Sequence, residues 1–486
     1  LETKEEIAMK NKDKEKSPGA LLQEQLGKKW ELAWNDLSDE DAIKVKTISD
    51  DYIHFLTTGK TERQCVTLSV DLAEKAGFKP LEAYQNAGKI NPGDKVYMVH
   101  KDKTVVFFVS GKDSIEQGMA IIGAHIDSPR LDLKPSPLYE SDDMAFFKTH
   151  YYGGIKKYHW VTIPLAMHGT VVKKDGETID ISIGEAPEDP VFCITDLLPH
   201  LSQEQNTKKM TEGITGEGLN IIVGSQPYPE KDLKDGVKLN ILNHLYTKYG
   251  MLEEDFATAE LEVVPAGAAR NVGFDESLIG GYGQDDRICA YTALRAILDQ
   301  ETIPNRTLCV ILADKEEIGS VGNTGMHSRF FENTVAELID LMAVKKPDMA
   351  MRRCFMNSEM LSADVTAGVD PNFSGTHDKG NAPYIGKGMV LSKYGGARGK
   401  SGSNDAHAEF MGKMRKTLEA AGVIWQMGEL GRVDLGGGGT IAHILAEYGM
   451  DVLDCGPALL SMHSPFELAS KIDLYMCYKG YKTFLA

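Results

Sequence analysis

No Cys-x-x-Cys pair occurs in this 486-residue chain: Cys65, Cys193, Cys289, Cys309, Cys354, Cys455 and Cys477 stand singly. That spacing indicates neither a thiolate zinc site nor a disulfide framework, so most of the thiols are expected to be small buried hydrophobes. Long apolar runs are also missing. Segments such as Leu308 to Ala313 fall far short of a membrane span, and Leu1-Glu-Thr-Lys-Glu-Glu lacks the apolar stretch of a signal peptide. A soluble, cytoplasmic protein without a membrane partner is expected. Positive charge is scarce as well, with 53 Lys and Arg against 71 Asp and Glu and a net charge of −18. A phosphate backbone would be repelled, which argues against nucleic acid as a partner. What remains is ordinary globular composition, 42% hydrophobic and 26% charged, with length enough for a large core and a second domain.

The chain is organised around Leu308 to Ser320, where an unbroken apolar segment runs straight into Asp314, Glu316 and Glu317. So short and apolar a run reads as a buried, parallel-type strand. In an open α/β sheet, function collects beyond the carboxyl ends of such strands. Neighbouring carboxylates there repel unless something cationic holds them, which suits one metal ligand beside one general base. An acidic first turn of a helix accounts for the same residues, and both readings stay open.

Other strand ends repeat the pattern. Met119 to His125 reads as a strand that delivers His125 and Asp127, two apart and therefore on one face, as an imidazole and its orienting carboxylate would be. After Gly280-Gly-Tyr-Gly-Gln, Asp285 and Asp286 precede a helix, as caps or as a bridging ligand. Cys354 to Asp364 again sets an acid after an apolar-rich segment. The glycines of Gly436 to Thr440 offer backbone N–H groups to an oxyanion or carboxylate, or form a turn. Ser464-Pro-Phe-Glu467 reads as a capping box that fixes His463 just ahead of a helix.

Around these motifs the expected architecture is α/β: a mixed, largely parallel sheet flanked by helices, with a β-rich insertion. The insertion shows in alternating strands such as Trp160 to Pro164 and Gly169 to Ile181. It also holds a polar stretch, His200 to Glu217, expected to be a long loop. A packing helix is expected from Leu37 to Thr58, a second over Glu62 to Ala76, and a solvated, charged tail over residues 1–17.

His125, His463, Asp285, Glu317 and Asp364 together are donors enough for two metals if one carboxylate bridges. Three carboxylates against two divalent cations leave a net of about +1, which a hydroxide nucleophile neutralises. Nitrogen and oxygen donors without thiolate suit exchangeable zinc, with cobalt or manganese as alternatives. A two-metal phosphoesterase, or a non-catalytic peptide-binding shell protein, uses much the same residues.

Here the sequence resembles the aspartyl aminopeptidase and vacuolar aminopeptidase I type of zinc metallopeptidases. The resemblance rests on Ala124-His125-Ile-Asp127-Ser-Pro, Gln284-Asp285-Asp286, Asp314-Lys-Glu316-Glu317-Ile-Gly-Ser, Ser362-Ala-Asp364 and Met462-His463-Ser464, in the family's order. It implies an aminopeptidase acting on peptides. It also implies that Asp285 bridges two metals, one completed by His125 and Asp364, the other by Glu317 and His463. Glu316 is then the general base, Asp127 the partner of the His125 metal, and the Asp285–Asp286 peptide cis. Substrate contacts are expected at His200, reaching the partner subunit, and at Lys393, Gly438 and Thr440. The family's inserted domain mediates dimerisation, and its dimers build a tetrahedral dodecamer. Residues 1–134 and 263–486 are accordingly expected to form the catalytic domain, and 135–262 the insertion.

Overall fold

The computed structural model describes residues 16–27, 30–35 and 37–486. Most of the charged tail expected over residues 1–17 therefore lies outside the described residues. No described helix is long and apolar enough to cross a membrane.

Nine strands form the central sheet. Its middle consists of four parallel strands in the order Thr307–Ala313, Met119–His125, Glu359–Ala363 and Asp451–Gly456. Thr104–Val109 and Met389–Ser392 flank them antiparallel. Thr307–Ala313 and Met119–His125 are buried at every position, because helices or loops cover both faces. Register does the rest: Ala313 pairs with His125 and Ser362 with Gly123, so the segments carrying His125, Glu316 and Asp364 leave the sheet side by side.

The helix Asp39–Thr58 is capped by Ser38 and stopped at Gly59, and its stripe Ile48, Tyr52, Phe55 and Leu56 is buried. Ile43, on the same helix, lies on the solvent side. Gln284–Leu298 packs under the sheet against the carboxyl-terminal helix Lys471–Leu485.

A second sheet of six antiparallel strands spans residues 130–265 and has its own apolar core around Trp160, Leu165 and Val263. The boundary expected between residues 134 and 135 falls inside its strand Arg130–Ser141, so the sheet starts earlier than the composition change suggests. His200 to Glu217 is not one loop but a string of single helical turns, among them Gln203–Asn206 and Met210–Gly213.

A third, five-stranded sheet runs Arg270–Val272, Leu278–Gly281, Glu467–Ser470, Ala458–Leu460, Thr366–Ala367. Glu467 opens a strand here, not a helix; pairing with Gly281 overrides the capping-box pattern. His463 thus sits in the hairpin between two strands, opposite the turn that carries Asp285.

Candidate active site

Three sheets converge on one acidic cluster. Asp285 stands at its centre, with Oδ1 3.2 Å from His125 Nε2 and Oδ2 3.1 Å from His463 Nε2. Glu317 Oε1 lies 3.5 Å from His463 Nε2, and Glu316 Oε2 lies 3.8 Å from His125 Nε2. Donor atoms of His125, Asp285 and Glu317 lie within 4.8 Å of one another, as do those of His125, Asp286 and Asp364. The Asp285–Asp286 peptide is cis.

Each imidazole is oriented from behind. His125 Nδ1 donates to the Asp127 carbonyl at 3.0 Å, and His463 Nδ1 donates to the Gly154 carbonyl at 2.9 Å. A carbonyl only accepts, so both Nδ1 atoms carry hydrogen and both Nε2 atoms turn toward the carboxylates as ligands would. Asp127 is buried behind His125, where its carboxylate accepts the N–H groups of Glu316 at 3.1 Å and Glu317 at 3.2 Å. Glu467 accepts the N–H of His463 at 2.7 Å with one oxygen and that of Asp285 at 3.1 Å with the other.

So many carboxylates in one buried place demand positive charge. Burial pushes Glu317 and Asp364 well above the usual carboxylate range, and neighbouring acids add to it. Burial, together with the Asp285 and Asp127 carboxylates, lifts Glu316 to about 7. Asp285 resists its burial and stays low because both histidines bond to it. His463, despite burial, is held up to about 10 by Asp285 and Glu317. Oxygens of Glu317 and Asp286 are buried without a hydrogen-bond partner. These residues fit divalent cations: oxygen and imidazole donors, an excess of negative charge and unsatisfied ligand atoms.

A cavity of about 470 Å³ opens onto the cluster. Asp285, Glu316, Glu317, Asp364 and His463 line it, as do Ser392, Tyr394, Gly438, Thr440 and Asp454. Thr440 Oγ1 donates to Asp454 Oδ1 at 2.5 Å, and burial lifts that carboxyl to about 6. Of the residues expected from sequence, Gly438 and Thr440 are on the wall, whereas Lys393 and His200 are exposed and line no part of it. Ser392 and Tyr394, either side of Lys393, face the cavity instead. Sequence reasoning overlooked Glu467 as a support for two donors, Tyr152 and Gly154. Alternation along Met144–Tyr152 marks a strand, but nothing in it points to a site more than 20 residues away.

The sequence model of aminopeptidase I zinc metalloproteases (M18) matches residues 55–485. The chain is 50% identical over 459 residues to a probable M18 family aminopeptidase 1 of Clostridium acetobutylicum, covering 94% of this chain and 98% of that protein. The crystal structure of an M18 aminopeptidase from Thermotoga maritima superposes with a TM-score of 0.90 at 47% identity, covering 94% of this chain and 99% of the other. The yeast mApe1 dodecamer shares the fold at a TM-score of 0.73 and 22% identity, over 91% of this chain and 97% of that one. With its acidic, histidine-bearing cluster at the strand ends, the chain belongs to the M18 family of aminopeptidase I zinc metalloproteases and is a metallo-aminopeptidase.

Proposed function

We propose that this chain removes the amino-terminal residue of peptides using two divalent cations held by His125, Asp285, Glu317, Asp364 and His463, with Glu316 as general base. The observation that carries the reading is the Asp285 carboxylate, which presents one oxygen to each histidine Nε2. On this reading Asp285 bridges, His125 and Asp364 complete one site, and Glu317 and His463 complete the other. Zinc there, or cobalt or manganese, supplies Lewis acidity and lowers the pKa of water. Glu316 stands free of that duty at the cavity wall, where its carboxylate can take a proton from the attacking water and hand it to the leaving nitrogen. Asp127 holds His125 and fixes the backbone that carries Glu316. Gly438 and Thr440 contribute the far wall, against which the substrate lies.

None of the described residues lining the cavity is Lys or Arg. A two-metal phosphoesterase would receive its phosphate on the same cations, so the substrate test below separates the two readings. The same wall favours a neutral first side chain over an acidic one. On this reading none of the five ligands nor the base is missing, so a non-catalytic shell protein is disfavoured.

We further propose that the second sheet forms the dimer contact, that His200 reaches the partner subunit's site, and that dimers assemble as the yeast relative's dodecamer does. Leu197, Leu198 and Leu201, 51%, 49% and 67% exposed beside His200, are apolar surface that an interface would cover. The direct test is metal analysis with hydrolysis of aminoacyl-nitroanilides and nitrophenyl phosphate, with and without chelator. Two metals per chain, chelator-sensitive release of the amino acid and inert phosphate ester are expected. One metal per chain, or faster phosphate hydrolysis, overturns the reading.

A further inference from the structure

The second sheet, proposed above for subunit contact, also turns one corner into its own subunit's active site. Arg130 and Tyr152 are register partners on the antiparallel strands Arg130–Ser141 and Met144–Tyr152. Their side chains therefore share a face, and the Arg130 guanidinium lies 4.0 Å from the centre of the Tyr152 ring. Arg130 is in turn held by Asp132 at 2.8 Å, Glu262 at 3.2 Å and Glu62 at 3.4 Å. Glu62, Glu262 and Arg130 are buried, so the guanidinium is fixed in place and the ring that swings away forfeits its contact with it.

Held there, the Tyr152 hydroxyl donates to Asp127 Oδ2 at 2.8 Å. That same oxygen accepts the Glu317 N–H, while Oδ1 accepts the Glu316 N–H and lies 3.3 Å from His125 Nδ1. The next two residues reach the other half of the cluster. Gly154 offers its carbonyl to His463 Nδ1 at 2.9 Å. Gly153 has φ +72°, and a Cβ there would stand 3.3 Å from the Glu317 Cβ, so the close approach and the backbone both call for glycine.

We infer that Tyr152 to Gly154 is a brace by which the second sheet holds the two halves of the catalytic cluster in register, with Tyr152 a positioning residue that acts through Asp127. The inference rests on the reading of His125 as a metal ligand. The Tyr152 hydroxyl bonds to Asp127 and to none of the five ligands; it fixes the carboxylate that in turn fixes His125 and the Glu316–Glu317 backbone. Orienting partners of this kind change metal affinity or activity by roughly 10- to 100-fold when removed. A consequence is that packing within the second sheet is felt at the reacting centre.

Tyr152→Phe isolates the role, because it keeps the ring over Arg130 and removes only the hydroxyl. It is compared, in the full assembled enzyme, with Tyr139→Phe, a tyrosine of the same sheet stacked on Phe146 away from the cluster, and with His125→Ala. Measured are thermal midpoint, kcat and KM, zinc titration of the chelator-stripped protein, and the visible spectrum of the cobalt form. Tyr152→Phe is expected to keep its thermal midpoint and its KM within about twofold, to lose about tenfold in kcat or in zinc affinity, and to shift the cobalt spectrum. Tyr139→Phe should match the wild type throughout. If His125→Ala keeps its full metal complement, the ligand reading itself falls. If His125→Ala loses metal but Tyr152→Phe titrates, turns over and absorbs like the wild type, the brace alone is overturned. A loss of kcat that only follows a lowered thermal midpoint also overturns it.

Discussion

The cavity wall that carries Glu316, Glu317 and Asp364, with His125 beside it, is built at the ends of buried parallel strands, whereas Ser392, Tyr394, Gly395, Leu430 and Gly437 to Thr440 on the other side come mostly from loops rich in glycine. Behind the cluster a second bond supports both histidines and the backbone of Asp285: the Asp127 carbonyl under His125, the Gly154 carbonyl under His463, and Glu467 under the Asp285 N–H. On the loop side the polar groups bond chiefly to one another, Thr440 to Asp454 and Tyr394 to Glu429. The difference assigns chemistry to the rigid wall and choice of substrate to the adaptable one.

The sharpest way to break that assignment is at the adjacent acids of the rigid wall. Glu316→Gln should retain both metals yet lose the proton shuttle, lowering turnover by about two to four orders of magnitude. Glu317→Gln should instead come out short of metal. Metal analysis of the two proteins checks this, and the reverse result, with Glu316→Gln depleted and Glu317→Gln full, would exchange their roles.

His200 belongs to neither wall of its own subunit, which makes it a test of whether the comparison is complete within one chain. If it donates a hydrogen bond to the developing oxyanion across the dimer, His200→Ala should lower kcat by roughly 100-fold. Mixed dimers of His200→Ala and Glu316→Gln chains should then recover activity, since some sites pair an intact Glu316 with the partner's intact His200. Demonstrably mixed dimers without recovery would remove His200 from the reaction.

How far the sequence shows this division follows from the same physics. The rigid wall is legible because a buried parallel strand is a short, wholly apolar run and a polar residue at its end has few reasons to be there. His125, Glu317 and Asp364 announce themselves that way. Glu467 does not: Ser464-Pro-Phe-Glu467 has a local pattern that fits a helix start, and only its pairing with Gly281, 186 positions earlier in the chain, makes it a strand. Tyr152 and Gly154 are invisible for the same reason, since their partners are Asp127 and His463. The loop wall misleads in another way. Lys393 is the conspicuous cation beside a glycine-rich stretch, yet successive residues of an extended chain face opposite sides, and its neighbours Ser392 and Tyr394 take the cavity.

That exchange is testable on the loop wall alone. Without Lys or Arg on the lining, an acidic first residue should be cleaved at least about tenfold more slowly than a neutral one of similar size, a like-charge penalty of roughly 1.4 kcal/mol. Ser392→Lys should narrow the gap in kcat/KM, and Lys393→Ala should leave it unchanged. A Lys393→Ala protein that loses activity on acidic substrates would restore Lys393 to the site.

The smallest expected effect lies away from both walls and asks whether acid-rich burial in this chain always serves chemistry. Asp473 is fully buried in the carboxyl-terminal helix and accepts the N–H groups of Gly386 and Gly388 at 2.7 and 2.6 Å. Burial nevertheless lifts its carboxyl to about 7, against the pull of those two bonds. A folded-state pKa above the unfolded value means that the native protein binds the proton more tightly. The stability this contributes is fully present below about pH 4, the unfolded value, and is lost as pH rises through 7. Asp473→Asn cannot titrate, so its thermal midpoint should approach that of the wild type as the buffer moves from pH 5 to pH 8. At pH 5 it should lie below the wild type, by the equivalent of about 1 kcal/mol for the weakened acceptor. A gap that instead widens with pH would show that the ionised carboxylate, held by two glycine N–H groups, is the stabilising form.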